Sequence, residues 1–166
     1  MGEKFIQLNQ DAILRLKIKT SDGKETGDIL EFDLEDIELP LKYQDLLEKD
    51  KKNKENLRNQ MLIIDKRQDV KGKKLLSKND EDKIKALNEF FKKEVEIYNI
   101  FLGENGVQKL LNGRKLGWTS LQEIDGIIEK QITPYLNVNM KNITDKVKEK
   151  YGEAVNRNKE VLKADE

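Results

Sequence analysis

Carboxylates crowd one short stretch of this chain: Asp28, Glu31, Asp33, Glu35 and Asp36 all fall between residues 28 and 36. Oxygen ligands at such density can hold a divalent cation. The loop spacing of an EF-hand, with its central glycine and terminal glutamate, is not present, however. Alternation along an extended backbone turns Glu31 and Asp33 outward, so the run is expected to be a solvated strand face. A second candidate is Gly103 to Lys115, where Gly103, Gly106 and Gly113 precede Arg114 and Lys115. It lacks the G-x-x-x-x-G-K-[ST] spacing of a phosphate loop and follows a helical pattern rather than a strand. Lys51, Lys52 and Lys54, and then Lys71, Lys73 and Lys74, could grip a nucleic-acid backbone. The first set alternates with acidic residues, and neither has aromatic neighbours on which bases could stack. Both are read as solvated surface, and a nucleic-acid partner is not expected.

Composition narrows the chemistry further. Among 166 residues there is no cysteine and no histidine. Thiolate nucleophiles, zinc held by Cys or His, and imidazole acid–base steps are therefore excluded. No spacing nominates an acid–base pair among the remaining residue types, so neither enzymatic activity nor a cofactor is expected. Lys plus Arg number 32 and Asp plus Glu number 32, which leaves no global field to attract polyanions. The polar start has no long apolar run, and no segment approaches the ~18 apolar residues of a membrane span. A cytoplasmic protein without a membrane partner is the expectation.

The elements that would position these residues follow from periodicity. Leu14, Leu16 and Ile18 alternate with Arg15, Lys17 and Lys19, the period-two pattern of a half-buried strand. Asp22-Gly23 and Gly27 supply turn chemistry, and Leu30, Phe32 and Leu34 return on one face. A hairpin over 12–34 is predicted, with basic and acidic outer rows in register to pair across it. Such a hairpin is marginal alone and needs helices on its apolar face. Pro40 suits the first turn of a helix over about 40–66, with a polar, solvated middle from Glu48 to Asn56. Residues 67–79 form an exposed connection, and Asn79 or Asp80 caps a second helix over about 80–102. Its face carries Ile84, Leu87, Phe91, Val95, Tyr98 and Leu102, widened by Phe90, Ile97 and Phe101, and Gly103 ends it. A short helix from about Val107 to Leu111 closes at Gly113. Thr119, with Gln122, can form a capping box for a helix over about 120–133, which Pro134 should kink or end. A last helix covers about 140–151. The fold class is α+β, mostly α: an N-terminal hairpin packed on three to four helices in one domain, 1–152, with a weakly ordered charged tail over 153–166.

This layout resembles the tail assembly chaperones of long-tailed phages and prophages. The resemblance is carried by the hairpin leading through Glu31–Pro40 into a long charged helix, by Ile97–Gly106 with its helix ending in a Phe–Leu–Gly element, and by the short apolar segment Val107–Arg114. It would cover roughly residues 13–136. It implies a non-enzymatic protein of the host cytoplasm that binds the tape-measure protein and tail-tube protein, with homo-oligomerisation. A small phage-encoded module inhibiting a host or defence protein would use the same surfaces. The candidate partner-binding residues are Leu57, Met61 and Ile64 on the first helix and Val147 and Tyr151 near the tail, each of which could instead complete the core. Trp118 is either a staple at a helix start or a binding hot spot.

Overall fold

A computed structural model describes residues 12–164, with side chains to Gly152, together with residues 3, 4 and 6. The rest of the expected domain's first eleven positions and residues 165–166 lie outside the described residues. The hairpin comprises β1 (Ile13–Lys19) and β2 (Glu25–Asp33), paired antiparallel with Arg15 opposite Glu31 and Leu16 opposite Leu30. Arg15 Nε lies 3.1 Å from Glu31, so the expected cross-strand charge pairing is present. The register slips between Lys17 and Lys19, where Gly27 takes φ 84° on the opposing strand. The Thr26 hydroxyl occupies this bulge, donating to the Ile18 carbonyl and accepting from the Asp28 N–H. Ile18, Leu30 and Phe32 are buried, as the alternation requires.

Helix α1 (Leu39–Asp65) opens with Pro40 in its first turn, where the missing N–H is no loss. It runs antiparallel to α2 (Lys78–Leu102), as shown by Tyr43 meeting Phe101, Asn53 meeting Phe90, and Asp65 pairing with Lys83. The side chains that α1 buries are Leu39, Leu46, Asn53, Leu57 and Ile64, nearly a strict heptad seam. The middle of α1 is therefore not wholly solvated: Asn53 faces the core. Helix α2 begins at Lys78, two residues before Asp80. Ser77 is the N-cap, accepting from the Asp80 N–H at 3.1 Å, while the Asp80 carboxylate accepts from the Ser77 N–H. Asn79, expected as a cap for α2, instead serves the other helix. Its amide donates to the carbonyl of Ile64, in the last turn of α1, and to that of Arg67 just beyond the helix. The buried line of α2 is Phe90, Glu94, Ile97, Tyr98, Phe101 and Leu102, and Ile84 is exposed.

Phe101 joins three elements. Its ring centroid lies 5.4 Å from that of Phe32 on the hairpin and 5.2 Å from that of Tyr43 on α1. The short α3 (Gly106–Leu111) then turns back under β2, with Val107 completely enclosed. The Asn99 side chain accepts from the Val107 N–H at 2.8 Å, and so fixes the bend between α2 and α3. At Gly106 a Cβ would sit 2.5 Å from Leu102 Cβ, closer than packed atoms approach. We expect Gly106→Ala to cost about 1–3 kcal/mol, the usual effect of overpacking, read as a lower urea midpoint at unchanged m-value. An unaffected midpoint would show that α3 stands farther from α2 than described.

The third helical arm differs most from expectation. Helix α4 (Trp118–Ile127) starts at Trp118, with Gly117 as N-cap and the Ser120 hydroxyl accepting from the Gly117 N–H. The anticipated Thr119–Gln122 box is not the start. A π-helical turn, Ile128–Ile132, leads directly into α5 (Thr133–Ala164), so the chain neither breaks at Pro134 nor forms two helices at 120–133 and 140–151. Proline has no N–H for the ladder and crowds the carbonyl four residues back. The wider turn relieves this, with both the N–H and the hydroxyl of Thr133 directed at the Ile128 carbonyl. The backbone stays helical to Ala164, through most of the segment expected to be a weakly ordered tail.

Candidate binding surface and a buried carboxyl pair

The antiparallel packing of α1 on α2 decides three of the predicted binding residues. Leu57 and Ile64 are buried, and Met61 packs partly buried against the same core. Leu57 and Ile64 are thus turned inward, and Met61 keeps only part of its surface exposed. The large apolar residues that α1 leaves exposed near this end are Leu62 and Ile63. Trp118 is half-exposed. Its inner face meets Phe90 and Phe91 of α2, with centroids at 5.2 and 4.9 Å. It sits inside the first turn of α4 and contacts a neighbouring helix, so it is not a staple within its own helix.

Val147 and Tyr151 are exposed on α5, and they end a longer series. Leu136, Met140, Ile143 and Val147 follow one another at spacings of four, three and four, the a/d repeat of a helix-pairing seam. Leu136 is 3% exposed and Met140 43%, Ile143 is partly buried against the cleft described below, and Val147 and Tyr151 are 61% and 71% exposed. The seam thus starts inside the body, and among the described residues no element covers its outer end. Beside its root lies an open cleft of about 630 Å³ between the hairpin end and α5, with Leu34, Tyr135, Val138 and Ile143 among its walls. Asn139 lines the same cleft, and its amide nitrogen is buried without an acceptor.

The acidic run does not assemble a cation site. Glu31 pairs with Arg15, Asp33 accepts from the Glu35 N–H, and Asp36 accepts from the Glu38 N–H and from Lys42. The Glu38 N–H and the Lys42 ammonium together hold the Asp36 carboxyl below its ordinary range. Among the described residues no group of three or more Asp or Glu side chains is placed to hold a metal, and no helix is long and apolar enough to cross a membrane. Lys71, Lys73 and Lys74 stay exposed in the α1–α2 connection.

The most perturbed chemistry lies where sequence reading placed none. Glu94 is fully buried between α1 and α2, and Asn53 donates to its Oε1 at 2.6 Å and to the Phe90 carbonyl at 3.2 Å. Burial first, and then a hydrogen bond to the neighbouring carboxylate of Asp50, push the Glu94 carboxyl up to about 8. Asp50 is itself paired with Lys54 at 2.9 Å. The Tyr98 hydroxyl donates to Asp125 of α4, and burial followed by that bond pushes the phenol upward. Glu94 occupies the centre of α2's buried line, which a search for apolar periodicity passes over. The signal that could have found it is the polar pair Asn53 and Glu94, each interrupting an otherwise apolar seam.

No family model matches the chain, and comparisons with curated proteins and with solved structures likewise return no match.

Proposed function

We propose that this protein is a non-catalytic binding module that receives an amphipathic helix along α5, as a tail assembly chaperone receiving a tape-measure segment would. The observation that carries this reading is the seam from Leu136 to Tyr151, whose outer end is exposed with no other element over it among the described residues. Packing of an a/d seam against a second helix is a recurring mode of recognition. The cleft at the seam's root supports the same reading, because a segment laid there can bring a carbonyl to the unpaired amide of Asn139. The mixed surface charge of 32 basic and 32 acidic residues suits reversible contact with a client without general attraction to polyanions. Tape-measure and tail-tube proteins are the clients implied by the resemblance, and the host cytoplasm is where they would be met.

The test is co-expression with a tape-measure fragment and with the tail-tube protein, followed by size-exclusion chromatography. Val147→Asp with Tyr151→Asp should reduce client affinity at least tenfold. Two surface changes there should leave the urea midpoint within about 0.5 kcal/mol of wild type. Retained binding in this double variant would remove α5 as the docking face. Failure of wild type to bind either client would remove the chaperone reading.

A further inference from the structure

We infer that a single proton shared between Asp50 and Glu94 fastens the middle of α1 to α2, making the helix pair a latch that loosens as the solution becomes alkaline.

The geometry is a closed cluster with a missing donor. Glu94 Oε2 and Asp50 Oδ1 are both buried, and neither has a hydrogen-bond partner when both groups are drawn as acceptors. Asp50 lies three residues before Asn53 on α1, and Asn53 is bonded to Glu94, so the two carboxyl groups are close enough for Asp50 to push the Glu94 carboxyl upward. One added proton resolves both atoms: the Glu94 hydroxyl donates to the Asp50 carboxylate. Charge counting gives the same answer. On α1, Asp50 is balanced by Lys54 at 2.9 Å. On α2, Glu94 receives only the neutral amide of Asn53, and Tyr98 is a neutral phenol committed to Asp125 of α4. Lys54 also feels Asp125 and Glu94, but one cation faces three carboxyl groups. A charged Glu94 would therefore be a second buried anion against Asp50 with no cation of its own, an expensive arrangement.

The sign follows. The Glu94 carboxyl titrates near 8 in the folded chain against an ordinary 4.5. The native state then binds more protons than the unfolded state between those values, so this contribution to stability is fully present below 4.5 and is lost as pH rises through 8. Above that, α1 and α2 are held by apolar contacts against a buried repulsion.

Urea unfolding of the full chain from pH 4.5 to 9, with hydrogen exchange on α1, tests the latch. Wild type should show a midpoint that falls across this range. Protection of the amides around Asp50 to Leu57, corrected for intrinsic exchange, should fall at least tenfold. Glu94→Gln keeps a donor toward Asp50 and cannot ionise, so its midpoint should stay level and exceed wild type above pH 8. Asp50→Asn removes the like charge, so its decline should be smaller than in wild type and should end at a lower pH. A wild-type midpoint that holds level or rises over this range overturns the inference, as does a Glu94→Gln midpoint falling in parallel with wild type. If Glu94→Gln fails to fold, the Asp50→Asn profile and the wild-type exchange data decide the matter alone.

Discussion

Phe101→Ala is expected to remove about 3–5 kcal/mol of folding free energy, the usual range for deleting a buried phenylalanine ring. The size follows from what the ring joins. Phe32 brings the hairpin, Tyr43 brings α1, and Phe101 belongs to α2, with both ring centroids within 5.4 Å. The cavity would open where three elements meet, and none of them can close it alone. A two-stranded hairpin has little stability of its own, so losing its anchor should loosen it first. Since domains of this size are stable by about 5–15 kcal/mol, the variant should lose a large share of its stability. Urea denaturation followed by far-ultraviolet circular dichroism measures the loss. Tyr151→Ala serves as the control and should shift the midpoint by less than about 0.5 kcal/mol. A cost below about 1 kcal/mol for Phe101→Ala would mean that the three elements do not share this contact.

Asn53→Leu should be the second most damaging change, at about 1–3 kcal/mol near neutral pH. Leucine fits the apolar seam of α1 better than asparagine does by type alone. Yet it leaves Glu94 Oε1 and the Phe90 carbonyl without the donor that serves both. The cost must depend on pH, because the Asn53 amide favours the charged form of Glu94 and lowers its titration point. Without it the Glu94 carboxyl should titrate still higher. The penalty should then be level up to about pH 8, where the folded acid is neutral in both proteins, and should grow above it. Measuring the variant at pH 4.5 and 9 separates this from a simple packing effect, which would be the same at both.

Much of the architecture could be read from residue pattern alone. The hairpin was legible because Leu14–Ile18 and Leu30–Leu34 alternate strictly, and a period of two admits one buried face. Helices α1 to α3 were legible from Pro40, from the dense apolar face of α2 and from the glycines flanking α3. Where reading failed, the missing information was tertiary. Leu57, Met61 and Ile64 look like a spare apolar face only until α2 is laid against them. Asn79 has the chemistry of a cap, but which helix end it serves depends on how closely the end of α1 approaches. Pro134 ordinarily ends a helix, and only the Thr133 contacts to Ile128 show how the chain winds past it. Glu94 was hidden for another reason: a glutamate between Phe90 and Ile97 scores as surface in any pattern of apolar residues. Val147 and Tyr151 were singled out, but the seam linking them to Leu136 was not, because Pro134 had divided the helix.

The wide turn at Ile128–Ile132 also sets a direction. An α-helix advances about 100° per residue, so accommodating one extra residue in a turn retards the winding of everything downstream by that much. The azimuth of the protruding arm is thereby uncoupled from the side on which α4 meets the body. Leu136 can finish the interior while its successors at four and three residues aim into open space, on a bearing that an uninterrupted rod from Trp118 would not give them.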